Sequence, residues 1–252
     1  MLSILKTRFL QGHRTMKYPL ELPVLPERFR GRLKIDYAKC RDGCRACEEA
    51  CPTNAISTAG KLSIDLGKCL FCTACTEACP EDAISYTTDH RLATGRREDL
   101  ILSDQELKLA EGMADELQKL MGRALRLREV SAGGCNACEL DINVLGTVGW
   151  DLSRFGIQFV ASPRHADGIV ITGPISKNMH YALMETWRAT PEPRVVIAIG
   201  ACAIAGGPYR NSPAQLNGVE GIPELKVDLF IPGCPPHPLT ILDGLLRLIR
   251  RL

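Results

Sequence analysis

Cysteine dominates the chemistry-bearing residues of this chain: twelve of 252 residues. Cys69, Cys72, Cys75 and Cys79-Pro80 follow the spacing C-x2-C-x2-C-x3-C-P. That spacing holds a [4Fe–4S] cluster, with three thiolates of a tight loop on one cluster and the fourth, on the helix that follows, directed to a second cluster. Such a run requires a twin. Cys40, Cys44, Cys47 and Cys51-Pro52 supply it, with three residues rather than the usual two between Cys40 and Cys44.

Four cysteines remain: Cys135, Cys138, Cys202 and Cys234. Each stands just past a predicted strand, in Gly133-Gly134-Cys135, Gly200-Ala201-Cys202 or Pro232-Gly233-Cys234-Pro235-Pro236. Loops at the carboxyl ends of parallel strands converge on one edge, so these thiolates are expected at a single metal site. Twelve cysteines then make three sets of four. Thiolate count alone fits zinc as well for this last set, the spacing favours iron–sulfur ahead of zinc, and the plain alternative for any one of the four is a buried core thiol. A nucleotide site is rejected, because Gly133-Gly134 leads into cysteines and no G-x-G-x-x-G follows the first strand.

The elements that must position these thiols follow from pattern. Residues 31–90 contain an internal repeat: Ile35-Asp36 matches Ile64-Asp65, Cys51-Pro52 matches Cys79-Pro80, and Ala55-Ile56-Ser57 matches Ala83-Ile84-Ser85. Each copy reads as strand, cysteine loop, short helix, strand. So small a segment buries little apolar core, and bound clusters would take the core's place. Residues 1–30 form an arm: Leu2, Leu5, Phe9 and Leu10 suit a short helix, and Pro19, Pro23 and Pro26 then enforce an extended path. Residues 91–124 read as a linker. Ser103-x-x-Glu106 there is a capping box, and Leu107, Ala110, Ala114, Leu117 and Met121 predict an amphipathic helix roughly 28 Å long.

Residues 125–252 alternate the two patterns. Strands are expected at Leu125–Val130, Gly156–Ala161, Gly168–Thr172, Val195–Ile199 and Val227–Ile231. Helices are expected at Cys138–Gly149, at Lys177–Ala189 and from Pro238 onward. This argues a parallel α/β sandwich. The fold class is thus an α+β two-cluster domain followed by an α/β parallel-sheet, flavodoxin-like domain.

Composition narrows the partners. A net charge of +2 is too small to argue for nucleic acid. The charge is uneven, however: residues 1–34 hold eight Lys and Arg against Glu21 and Glu27, which suits a solvated tail, a partner subunit or an anionic membrane surface. No signal peptide is read at the N-terminus, so spaced thiols are taken as metal ligands rather than disulfides. No apolar run is long enough to span a bilayer.

The second domain resembles the small electron-transfer subunit of membrane-bound, energy-converting (group 4) [NiFe]-hydrogenases and, more distantly, the cluster-bearing quinone-site subunit of complex I. The resemblance rests on Gly134-Cys135-Asn136-Ala137-Cys138-Glu139, Ile171-Thr172-Gly173-Pro174-Ile175, Gly200-Ala201-Cys202-Ala203 and Ile231-Pro232-Gly233-Cys234-Pro235-Pro236-His237-Pro238. Residues 31–90 resemble the two-cluster ferredoxin subunit of the same assemblies, so the chain looks like a fusion. The resemblance implies three [4Fe–4S] clusters. One lies on Cys40, Cys44, Cys47 and Cys79; a second on Cys69, Cys72, Cys75 and Cys51; a proximal one on Cys135, Cys138, Cys202 and Cys234.

By the same resemblance the chain is a non-catalytic electron-transfer subunit. It would work between a soluble carrier or second enzyme and a hydrogenase-like large subunit, beside membrane subunits, peripheral at the cytoplasmic face of the inner membrane. A nickel-free, complex I-like assembly serving quinone is the second reading, and a zinc-binding structural module the third. Glu139 is a candidate for proton coupling, with a pKa expected to rise in low dielectric. His237 is a candidate sensor of cluster charge, and His165 and His180 are expected at the surface.

Overall fold

The computed structural model describes residues 2–121 and 124–252. An N-terminal helix, α1 (Leu2–Gln11), buries none of its residues. The repeat then folds as expected, each copy giving strand, loop, helix and strand. The first copy gives β1 (Leu33–Ile35), α2 (Ala46–Glu49) and β2 (Ile56–Ser57); the second gives β3 (Ser63–Asp65), α3 (Ala74–Ala78) and β4 (Ile84–Tyr86). The copies interlock: β1 pairs antiparallel with β4, and β2 with β3.

Residues 91–124 depart from the expected helix. A short strand, β5 (Ile101–Leu102), pairs with β3 and completes a three-stranded sheet. Among the described residues of this stretch, α-helix appears only in α4 (Asp115–Met121), with a single 3-10 turn at Glu98–Leu100, so the capping box at Ser103 and Glu106 does not start a helix. Leu107, Ala110 and Met113 are buried all the same. Backbone bonds from Ala110 to Ala93 (2.9 Å) and from Met113 to Leu248 (2.9 Å) replace helical ones. Apolar spacing was satisfied by tertiary packing rather than by a helix face.

The C-terminal lobe is a five-stranded parallel sheet of β6 (Leu125–Ser131), β7 (Ile157–Phe159), β8 (Gly168–Thr172), β9 (Val195–Ile199) and β10 (Leu229–Ile231). Its spatial order is β10-β9-β8-β6-β7. Every residue of β8 and β9 is buried, as expected of strands covered on both faces. The helices are α5 (Ala137–Val144), α6 (Lys177–Ala189), α7 (Gly200–Ala205) and α8 (Pro238–Leu248). Of the helices expected here, α5 stops five residues short of Gly149.

Two apolar cores follow from the alternation of side chains along the strands. One joins Leu127, Val170, Ile197 and Ile199 to Ile142 of α5 and Leu242, Leu245 and Leu246 of α8. The other joins Ile169, Ile171, Val196 and Ala198 to Leu183 and Met184 of α6, and runs on without a break into Leu33, Ile56, Ile64 and Leu66 of the N-terminal lobe. The seam between the lobes is also charged. Arg97 donates to both carboxylate oxygens of Asp65 (2.8 and 2.7 Å) and, through Nε, to Glu220 (2.9 Å).

Candidate iron–sulfur sites

Each half of the repeat builds one ring of thiols. Cys40, Cys44 and Cys47 line one cavity together with Cys79 from the other copy. Cys69, Cys72 and Cys75 line a second cavity together with Cys51. The exchange of the fourth cysteine follows from the interlocked strands, since α2 and α3 lie against each other and each carries its Cys-Pro end toward the other loop. Backbone amides support the crossing sulfurs symmetrically: Ala55 N–H donates to Cys51 Sγ and Ala83 N–H to Cys79 Sγ, both at 3.2 Å. Phe71 N–H donates to Cys69 Sγ at 3.3 Å. Hydrogen bonds to cluster sulfurs raise the potential of an iron–sulfur centre.

The extra residue of the first copy is absorbed locally. Gly43 adopts φ +74 with no atom within 4 Å of a Cβ built there, so the loop bulges outward. Cys40 and Cys44 still face the shared cavity with Cys47 and Cys79.

The third set gathers as the strand order dictates. Cys135 lies beyond the end of β6 and Cys138 within α5; Cys202 lies on α7 just after β9, and Cys234 beyond β10. Burial, then Glu139, then the sulfurs of Cys202, Cys234 and Cys135 raise the Cys138 thiol, and burial followed by Cys234 and Cys135 raises Cys202. The approach is close: a Cβ on Gly200, at φ +90, would stand 2.6 Å from Cys138 Sγ. The loop Cys135-Asn136-Ala137-Cys138 repeats the device of Cys72-Thr73-Ala74-Cys75. In both, the residue before the alanine takes a left-handed conformation (Asn136 φ 71, Thr73 φ 67) and opens the helix.

Burial and neighbouring thiols act in one direction. Burial pushes Cys69 up to about 12, Cys75 to about 11 and Cys202 to about 12, and it raises Cys138 as well. Grouped buried thiolates need a cationic centre to offset them. Among the described residues no three His, Cys, Asp or Glu side chains converge on a point that one metal ion would occupy; the first two sets instead ring cavities. At the first two sets the donor chemistry, the lined cavities and the amide-to-sulfur bonds all fit [4Fe–4S] clusters.

The three sets adjoin in sequence. Cys72 and Cys234 line one cleft of about 370 Å³ between the lobes, with Phe71, Arg30 and His237. The Cys72 sulfur also raises the Cys234 thiol pKa, after burial and Cys135. Cys135 and Cys234 are exposed, and so are Leu140 on α5 and Val148 beyond its end.

Glu139 is buried and accepts hydrogen bonds from Ser131 Oγ (2.6 Å) and Thr172 Oγ1 (2.7 Å). Neither partner was visible in sequence, nor was Glu129, whose carboxyl is pushed up to about 7 by burial and then by Glu139. His237 caps α8, its Nδ1 accepting from Leu239 N–H at 3.2 Å; burial lowers its pKa. His165 is exposed as expected, whereas His180 is half-buried. Sequence reasoning also missed a buried network in which Tyr18 OH donates to Asp243 Oδ1 (2.7 Å) and Arg247 Nε to Asp243 Oδ2 (2.8 Å). His90 lies 3.5 Å from the Tyr18 hydroxyl. Its members are scattered in sequence and share no spacing signal.

Comparison with known proteins matches two regions. Residues 135–248 match the family described as the NADH ubiquinone oxidoreductase 20 kDa subunit, and residues 39–83 match a 4Fe-4S dicluster domain. The chain is 37% identical over 150 residues to the probable membrane-bound hydrogenase subunit mbhJ of Pyrococcus furiosus, covering 60% of this chain and 89% of that protein. It is 37% identical over 132 residues to formate hydrogenlyase subunit 7 of Escherichia coli K12, covering 52% of this chain and 51% of that one. Among solved structures, a chain of the archaeal membrane-bound sulfane sulfur reductase aligns with TM-score 0.47 at 28% identity, over 55% of this chain and 75% of the other.

Proposed function

This chain belongs to the family of the NADH ubiquinone oxidoreductase 20 kDa subunit, preceded in the same polypeptide by a 4Fe-4S dicluster domain, and on that premise we propose that it is the three-cluster electron-transfer subunit of a membrane-bound [NiFe]-hydrogenase complex. When bound, [4Fe–4S] clusters supply one-electron carriers that the twenty ordinary side chains cannot provide. Cys40, Cys44, Cys47 and Cys79 hold the outer one; Cys69, Cys72, Cys75 and Cys51 the middle one; Cys135, Cys138, Cys202 and Cys234 the proximal one. The observation that carries this reading is the chain of adjacency: two cavities each ringed by four thiols, and one ligand of the middle set sharing a cleft with one ligand of the third.

The chain's own residues prepare these sites. Phe71, Ala55 and Ala83 direct amide hydrogens at ligand sulfurs. Arg97 clamps the lobes through Asp65 and Glu220 and so fixes the spacing of the middle and third sets. Glu139, fixed by Ser131 and Thr172 and next in the chain to Cys138, is the residue assigned to proton coupling at the proximal site. Exposed Cys135, Cys234, Leu140 and Val148 mark the face that the catalytic large subunit covers, while a soluble carrier or second enzyme docks at the outer set. No catalytic residue is assigned to this chain.

The strand order, counted within the C-terminal lobe, is 2-1-3-4-5, the order of flavodoxin-like doubly wound sheets, and it supports that architecture. The division we propose is an arm at 1–30, a dicluster domain at 31–90, a linker at 91–124 and the proximal-cluster domain at 125–252. No helix among the described residues is long and apolar enough to cross a membrane, which is consistent with peripheral attachment, assigned here to the cytoplasmic face of the inner membrane.

The second reading, a complex I-like assembly without nickel, is favoured by the family model itself, whose description is that of a quinone oxidoreductase subunit. Anaerobic purification of the native complex separates the two. Nickel in the co-purifying large subunit, with bleaching of the cluster absorbance under hydrogen, is expected. A large subunit without nickel, reduced by quinol and not by hydrogen, would transfer the proposal to the second reading.

A further inference from the structure

The N-terminal arm has a surface unlike the rest of the molecule. Leu2 (84% exposed), Leu5 (66%) and Phe9 (88%) recur at three and four along α1 and form one projecting stripe. Beyond the helix, Leu20, Leu22 and Val24 are exposed as well. Such a density of solvated large apolar groups costs free energy unless something covers them.

The charge beside these groups is of one sign. Lys6, Arg8 and Arg14 are exposed, and among the described residues no carboxylate pairs with any of them. Glu21 is the one acidic residue between positions 2 and 24, and Lys17 pairs with it. Among the described residues, the hydrogen bonds that fasten residues 2–24 to the body lie at Thr15, Met16 and Tyr18. Met16 N–H donates to Gly149 O (2.9 Å), Thr15 Oγ1 to Val148 O (2.8 Å) and Tyr18 OH to Asp243. A hollow between Met16, Pro19, Leu20 and Phe155, with Lys17 and Arg154 at its edge, opens at this attachment.

We propose that residues 2–24 are a lipid-binding arm, Leu2, Leu5 and Phe9 entering the acyl boundary of an anionic bilayer while Lys6, Arg8 and Arg14 sit among its headgroups. An apolar stripe bordered by Lys and Arg is the composition of helices that lie in the interface plane. A protein partner would need a groove matched to two separate apolar segments, the helix and the extended run at 20–24. A fluid anionic surface accepts both without matching, and its negative potential complements every unpaired charge of the arm. This attachment requires none of the twelve thiols, so it stands or falls independently of the cluster assignment.

The test uses the full chain, purified anaerobically with its iron, and vesicles of phosphatidylcholine with and without phosphatidylglycerol. Co-sedimentation with the anionic vesicles is expected, weakening as salt is added, with little binding to pure phosphatidylcholine. Lys6→Gln with Arg8→Gln should weaken anionic binding about 30-fold at low salt. Leu5→Glu with Phe9→Glu should abolish it, and both double variants should keep the iron–sulfur absorbance. Equal binding to neutral and anionic vesicles, or binding untouched by either double variant, would overturn the proposal. So would arm variants that sediment normally with vesicles but no longer co-purify with a partner subunit.

Discussion

The dicluster lobe and the sheet lobe solve the same problem, gathering four thiols, by opposite means. In the dicluster lobe three thiols of each cavity come from one short loop and the fourth crosses from the other copy, so each cavity depends on the whole repeat. Its strands are two or three residues long, and Cys47, Cys69 and Cys75 are themselves members of the core. In the sheet lobe the thiols stand on turns and helix starts beyond the ends of three strands, and none of the four is among the buried members of the largely aliphatic core, although Cys138 packs against it. One lobe is organised by its ligands; the other would be a folded sheet with thiols at its edge.

Iron removal should therefore divide the molecule. Metal binding and folding are one equilibrium where no preformed site exists without the metal. After anaerobic chelation, amides of residues 31–90 should exchange at close to unfolded rates. Those of β8 and β9 should keep most of their protection, read by hydrogen-exchange mass spectrometry. Uniform loss across both lobes would show that the shared core at their seam, and not the thiols, governs stability.

A smaller effect is expected within the sheet lobe. Asp243 is fully buried and holds Tyr18 of the arm and Arg247 of α8. Asp243→Ala leaves the Arg247 guanidinium without its partner, and the expected cost is about 3–5 kcal/mol by denaturant unfolding. The iron content should be unchanged, because the network touches no thiol.

Smaller still is the effect of Glu129. Its folded pKa of about 7 lies above the ordinary glutamate value of 4.5. The folded state thus binds the proton more tightly, and the stability this brings is full below about 4.5 and is lost as pH rises through about 7. Glu129→Gln should raise stability at pH 8 by about 1–2 kcal/mol, after allowance for partial solvation. It should make little difference at pH 4. An equal gain at both values would remove titration as the cause.

Much of this arrangement was legible in the sequence because it is local. The limits of α6, Lys177–Ala189, follow from helical spacing, and the burial of Val195–Ile199 from an unbroken apolar run. The two cysteine runs announce their repeat. What was not legible is non-local. β5 exists only because β3 offers it an open edge, and the apolar spacing after Ser103 reads as a helix until Ala93 and Leu248 offer other partners. The arm's helix was visible, but not its exposure. Asp65, Arg97 and Glu220 are far apart in the chain, as are Tyr18, His90 and Asp243, and no periodicity links them. For the sites, the twelve cysteines could be counted, whereas the cleft joining Cys72 to Cys234 needed the packing of one lobe on the other.

Iron and acid-labile sulfide, quantified per chain together with Mössbauer spectra of anaerobically purified protein, test the central claim most directly. Twelve irons in three [4Fe–4S] environments, four for each set of four among the twelve cysteines, are predicted. Eight irons with zinc on the third set, or zinc throughout, would contradict it.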